Sequence, residues 1–218
     1  MKHPTTLDQL LLFLAGQALL LTAQQKEKLR HYLDLLKIYA SRMNLISNMD
    51  TPHLVERHLL PSIWLCRELE DLKGMFILDV GSGGGFPGVV VQILFPDSRV
   101  VLLDAARKKT LFLDEVCDRL DLPAQVVHAR VEVYVKKHGS SFDVIVARAV
   151  TAINRLWPWS HLLLKPAGFL LAMKGGRSDD ECLWLRRQGI PYQRLMPPAD
   201  WRLFSSYLTN KYIIKLQK

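Results

Sequence analysis

The chain has 218 residues, about half of them hydrophobic, which leaves room for one catalytic domain of ordinary size plus a small helical extension. Its three cysteines, Cys66, Cys117 and Cys182, are scattered and lack Cys-x-x-Cys spacing, which argues against a disulfide framework or a metal site. The formal net charge is +8; no stretch approaches the roughly 18 apolar residues of a spanning helix, and the amino terminus lacks the pattern of a secretory leader, so the expectation is a cytoplasmic protein without a membrane partner.

Thr22-Ala23-Gln24-Gln25 reads as a capping box, and Leu29, Tyr32, Leu33, Leu36, Tyr39, Ala40 and Met43 follow at helical spacing, which predicts an amphipathic helix. Thr51-Pro52 is a second start signal, a cap residue with proline at the first helical position, leading into Leu54 to Leu69. Pro61 interrupts that helix, because it removes an amide donor and crowds the preceding turn. Gly74 closes an N-terminal helical extension over 1–73, and a second unit over 74–218 begins with strand 75–80. From there helices 87–95, 106–120, 131–137 and 152–163 alternate with strands 99–104, 124–128, 142–148 and 168–173. That alternation implies an α/β fold, a mostly parallel sheet with helices on both faces. After a helix over 178–188, residues 193–196 and 206–216 are expected to form an antiparallel closing hairpin, with Pro197-Pro198-Ala199-Asp200 in its loop.

Residues 77–88, Ile-Leu-Asp-Val-Gly-Ser-Gly-Gly-Gly-Phe-Pro-Gly, carry the most chemistry. Gly81, Gly83 and Gly85 permit positive φ and let a ligand approach the backbone where a Cβ would collide. Pro87 suits the first turn of a helix, whose free amides are expected to face the ligand. Phe86 stands where the third glycine of a dinucleotide fingerprint would fall. Asp104, 23 residues after Gly81 (104 minus 81), ends the second strand, where it can accept hydrogen bonds from ribose hydroxyls.

The glycine turn, Asp104, Phe142-Asp143-Val144-Ile145 and Leu164-Lys165-Pro166-Ala167-Gly168 together resemble the Rossmann-like fold of the S-adenosylmethionine-dependent methyltransferases. Asn44-Leu45, Arg57-His58, the turn with Phe86-Pro87-Gly88, Arg130-Val131-Glu132, Ala147-Arg148-Ala149 and Lys174-Gly175 narrow the resemblance to the RsmG (GidB) family over roughly residues 22 to 176. That resemblance implies S-adenosyl-L-methionine as cofactor, with contacts at Gly81, Phe86, Val131, Glu132 and Arg148. It also implies 16S ribosomal RNA or the small ribosomal subunit as partner, N7 of the guanine at position 527 as acceptor, and a monomer. The family's usual Arg-His-x-x-Asp-Ser is here Arg57-His58-Leu59-Leu60-Pro61-Ser62, which puts any role of that Asp in doubt.

Guanine N7 presents an unshared pair and no proton, so its methylation needs orientation and a suitable electrostatic environment rather than a general base. No catalytic base is therefore expected, and Arg148 is an orienting candidate, with an ordinary ion pair as its alternative. Glu132 reads as a cofactor contact or simply as a favourable first-turn acid. Arg57 and His58 could reach RNA phosphate or wall the cleft, and Lys174 is a further RNA candidate; Arg107-Lys108-Lys109 reads as a solvated face. Residues 144–218 hold 12 Lys/Arg and 4 Asp/Glu, the whole of the formal excess, and the expectation is a basic field beside the acceptor that suits a polyanion. The rival readings are a small-molecule methyltransferase of this fold and a non-catalytic nucleotide- or RNA-binding protein.

Overall fold

The structure, a computed structural model, describes residues 4–43, 45–47, 49–69, 74–176 and 179–218. Asn44, residues 70–73 at the end of the predicted extension and position 178 lie outside them.

Seven strands form one sheet: β1 Phe76–Val80, β2 Arg99–Asp104, β3 Gln125–His128, β4 Phe142–Arg148, β5 Leu164–Gly175, β6 Gln193–Leu195 and β7 Lys211–Gln217. Their order is β3-β2-β1-β4-β5-β7-β6. The first five are parallel, and β7 runs antiparallel to β5 and β6. Apolar runs build the centre because both faces of a parallel sheet are covered. Ile77, Val100, Leu102, Val144 and Val146 face one core, while Leu78, Val101, Leu103 and Ile145 face the other, with the period of two that strand geometry imposes. From β1 the chain moves outward to β2 and β3, then returns to β4 on the other flank. The carboxyl ends of β1 and β4 therefore border the crevice in which ligands of open α/β sheets bind.

On one face lie α4 Gly88–Leu94 and α5 Arg107–Leu120, overlaid by α1 Leu7–Gly16, α2 Ala23–Met43 and α3 Leu60–Arg67, whose buried leucines continue the same core. On the other face lie α6 Val131–Lys137, α7 Ile153–Leu163 and α8 Asp179–Arg187. The capping box forms as expected: Thr22 N–H donates to Gln25 Oε1 at 2.8 Å and Gln25 N–H to Thr22 Oγ1 at 3.2 Å. A second box, Thr6 with Gln9, starts α1, a helix the sequence reading did not separate. Among the described residues, no helix is long and apolar enough to cross a membrane.

Three expectations are corrected. Thr51-Pro52 opens a 3-10 turn, Thr51–His53, rather than an α-helix, and its preceding residue Asp50 is already helical with no side-chain cap. Pro61 does not end the helix: Val55–Leu59 widens into a π turn, with Leu60 N–H bonded to the Val55 carbonyl five residues back, and α3 starts afresh with Pro61 in its first turn. Ahead of β7, the stretch read as loop and strand forms α9 Ala199–Phe204 and the 3-10 turn Ser206–Asn210, so β7 begins at Lys211. Trp201, fully buried, supplies the reason for α9: its ring makes an edge-type contact with Phe13 of α1 and lies under the Arg67 guanidinium.

Candidate active site

The glycine turn hangs between β1 and β2. Gly81, Gly83 and Gly85 all have positive φ, at 71°, 57° and 100°. Gly83 matters most, because a Cβ there would meet only the Gly81 carbonyl oxygen, at 3.8 Å, so the requirement is its positive φ, and its N–H donates at 2.8 Å to Asp104 Oδ2. Asp104 Oδ1 accepts a second backbone N–H, from Ala106, also at 2.8 Å. The carboxylate thus holds the turn and the mouth of α5 together, and each oxygen keeps a lone pair for a further donor. Tyr32, buried on α2, donates its hydroxyl to the Gly84 carbonyl at 2.6 Å and pins the turn from the opposite side. Burial pushes the Tyr32 phenol well above its usual range, so it stays a donor.

The amides opening α4 are not free for a ligand, contrary to the sequence expectation. Gly88 N–H donates to Asp79 Oδ2 at 3.0 Å, and Val89 N–H to the Gly85 carbonyl at 2.9 Å. Asp79 is wholly buried, its other oxygen has no hydrogen-bond partner, and burial pushes its carboxyl up to about 7.

A cavity of about 320 Å³ opens over these strand ends, within the roughly 300–1,000 Å³ of small-molecule sites. It gathers Gly81, Asp104, Val131 and Glu132, four residues from three loops that the sequence singled out separately, and adds Arg155 and Trp159 from α7. An adenosine-like ligand fits this chemistry: acceptors at Asp104 and Glu132, an aromatic wall at Trp159, and backbone open to approach at the turn. Gly83, Phe86, His58 and Arg148 line a smaller adjoining cavity of about 190 Å³ that shares Gly81. Gly85 lines neither, since its Cβ position is filled by Val89 and the Tyr32 hydroxyl.

Arg148 ends β4 as expected, but its guanidinium is held by main chain. Nη2 donates to the Arg57 carbonyl at 2.6 Å and Nη1 to the His58 carbonyl at 3.3 Å. Pro61 explains the availability of the first: it has no N–H to return to the carbonyl four residues before it, which is Arg57. Tyr207 lines a cavity with Arg148, and burial lowers the Arg148 pKa. The Arg57 side chain is paired with Asp50 at 2.6 Å. His58 stands 3.6 Å from Asp50 Oδ2, beyond hydrogen-bond reach, and its ring packs beside Phe86 with centroids 5.2 Å apart. Burial, then the Arg148 charge, lowers its pKa to about 4, so the imidazole is neutral at pH 7.

A third cavity, about 420 Å³, lies over the ends of β4 and β5 and is lined by Arg148, Met173, Lys174, Glu181, Tyr207 and Lys211 among others. Lys174 is tied down: its ammonium donates to Glu181 Oε1 at 3.0 Å and the Thr151 carbonyl at 2.7 Å. Glu181 also accepts the Ile153 N–H at 3.2 Å, so α8 fixes the loop after β4. Neither Arg57, His58 nor Lys174 offers a phosphate an unengaged cation. The basic field is also less concentrated than the sequence suggested. β7 runs away from the cleft, from Lys211 opposite Gly175 to Gln217 opposite Phe169, and Lys218 binds the Leu164 carbonyl at the far end of β5, where Lys165 pairs with Asp143.

Sequence reasoning missed Tyr32, Asp79, Glu181 and Tyr207. Asp79 alone left a signal, an acid inside an otherwise apolar strand; the others are joined to the site only through tertiary contacts.

A family model described as rRNA small subunit methyltransferase G matches residues 25–191. A protein named Ribosomal RNA small subunit methyltransferase G from Acetivibrio thermocellus is 37% identical over 169 residues, 76% of this chain and 69% of that one. A protein of the same name from Pseudomonas putida is 40% identical over 166 residues, 76% of each chain. Among solved structures, a SAM dependent methyltransferase from Aquifex aeolicus superposes with a TM-score of 0.58 over 81% of this chain and 97% of that one, at 16% identity, which is likeness of fold.

Proposed function

This chain belongs to the rRNA small subunit methyltransferase G family, and from that premise we propose that it methylates N7 of a guanine in 16S ribosomal RNA, the base at position 527. The cofactor is S-adenosylmethionine, which supplies an electrophilic methyl group on its sulfonium. The observation that carries the reading is the convergence of Gly81, Asp104, Val131 and Glu132 on one cavity at the carboxyl ends of β1, β2 and β3.

The chain's own residues divide the work. On this reading Asp104 and Glu132 take the ribose and adenine ends, while the Gly81–Gly84 backbone borders the room for the methionine portion. Arg148, held by the Arg57 and His58 carbonyls, borders both the 190 Å³ and the 420 Å³ cavities and keeps donors to spare for a base edge, since a guanidinium carries five N–H groups.

Support for an acceptor without a proton comes from how the ionisable groups beside it are used. Glu181 Oε1 is taken by Lys174 and Ile153, which leaves Oε2 without a hydrogen-bond partner, and His58, with a pKa of about 4, is a weak base. Transfer then rests on alignment of N7 with the methyl group and on excluding water. Single-turnover methylation of small subunits, followed from mildly acidic to mildly basic pH with cofactor saturating, tests this. A flat profile is expected near neutrality; a rise abolished by one carboxylate or histidine substitution without loss of binding would point to an amine or hydroxyl acceptor.

A further inference from the structure

The 190 Å³ cavity beside the glycine turn has an unusual lining. Its ionisable residues are His58, Lys109 and Arg148, and no carboxylate borders it. His58 is neutral at pH 7, so two cations face a small volume walled by Phe86 and the Gly81–Gly84 backbone. Arg148 is held by the Arg57 and His58 carbonyls, and the carboxylate that acts on it, Asp50, is already paired with the Arg57 side chain. Lys109 is half-buried, and its ammonium has no hydrogen-bond or ion-pair partner among the described residues.

Lys109 is the third residue of α5, whose first turn contains Arg107 and Lys108 and no acid. Cations at that end oppose the helix dipole, so the position costs the helix stability rather than adding to it. Where a half-buried lysine sits against the dipole, unpaired, beside a second buried cation, the missing component is an anion.

We propose that this cavity is an oxyanion subsite in which Lys109, together with Arg148, holds one carboxylate or phosphate oxygen pair of a bound ligand. Two groups have this chemistry, the α-carboxylate on the methionine portion of the cofactor and a backbone phosphate of the RNA strand entering the cleft. The proposal rests on the methyltransferase reading. It moves Lys109 from a solvated helix face to the cleft wall, while Arg107 and Lys108 stay exposed.

Calorimetry on wild-type, Lys109→Gln and Lys109→Arg proteins separates the sources, using S-adenosylhomocysteine, which carries the carboxylate, and 5′-methylthioadenosine, which does not. If the carboxylate is the ligand, Lys109→Gln weakens S-adenosylhomocysteine about tenfold, as loss of a charge-assisted bond would, leaves methylthioadenosine unchanged, and Lys109→Arg restores binding. If phosphate is the ligand, both nucleosides bind as before and the slope of log affinity for 16S RNA against log salt becomes shallower by about one unit. Equal weakening of both nucleosides overturns the proposal, because the substitution then acts on the fold. So does a variant matching wild type in every arm. Wild-type protein that binds neither nucleoside would instead bring down the methyltransferase reading, and the proposal with it.

Discussion

The cofactor side and the acceptor side of the cleft are built by different means. On the cofactor side, a turn with glycines at positive φ is locked mostly by neighbours close in sequence or one strand away, Asp79 on Gly88 and Asp104 on Gly83 and Ala106, with Tyr32 of α2 pinning Gly84 from farther off. On the acceptor side, Arg148, the π turn, Lys174 and Glu181 come from four separate segments, and each is fixed by a carbonyl or side chain that only the tertiary fold brings near. The first arrangement follows from local sterics, and the second from captured main-chain acceptors. The two sides should therefore fail differently.

The largest effect is expected from Asp79. Its folded pKa of about 7 lies above the ordinary 3.8, so the folded chain keeps a proton that the unfolded chain has lost in between. Its favourable contribution is complete below pH 4 and is lost as pH rises through 7, a fall on the order of 4 kcal/mol before solvent relaxation reduces it. Asp79→Asn should flatten that part of the stability curve; urea midpoints from pH 4 to 8 check it. Next, Gly88→Ala would drive a Cβ into the Leu102 methyl and to 2.5 Å from Asp79 Oδ2. Overpacking of this kind costs about 3 kcal/mol, and cofactor affinity should fall with stability in the same titrations.

On the acceptor side, Arg148→Lys keeps the charge but cannot bridge both carbonyls, so about 2 kcal/mol of stability should be lost. Turnover on small subunits should fall more than cofactor affinity does. Equal losses would erase the distinction between the two sides. The smallest effect belongs to Pro61→Ala, which returns an N–H able to compete with Arg148 for the Arg57 carbonyl. A competing bond worth about 1 kcal/mol should lower turnover roughly fivefold, with calorimetric cofactor affinity unchanged.

The same division decides what was legible. The alternation of strands and helices, the turn and Asp104 follow from periodicity and glycine spacing, because those rules act over a few residues, whereas Glu132 was singled out through the family resemblance. Pro61 was read correctly as a missing donor, yet sequence carries no signal for the i→i+5 register that let the helix continue past it. Lys109 was visible only as one of three basic residues; its difference from Arg107 and Lys108 comes from Leu45, Ile46 and His58 closing the cavity around it. The charge of the last third misled because a count along the chain ignores that β7 reverses direction and carries Lys215 and Lys218 away from the cleft.

The central claim is tested most directly by locating the transferred methyl group. Small subunits from cells lacking the protein would be incubated with the purified chain and S-adenosylmethionine, and the 16S RNA digested and mapped by mass spectrometry. The account predicts one added methyl per RNA, on N7 of the guanine at position 527, with no label elsewhere. A methyl on an exocyclic amine, a ribose hydroxyl or a cytosine carbon, or none on RNA while the protein turns over its cofactor on a small molecule, would contradict it.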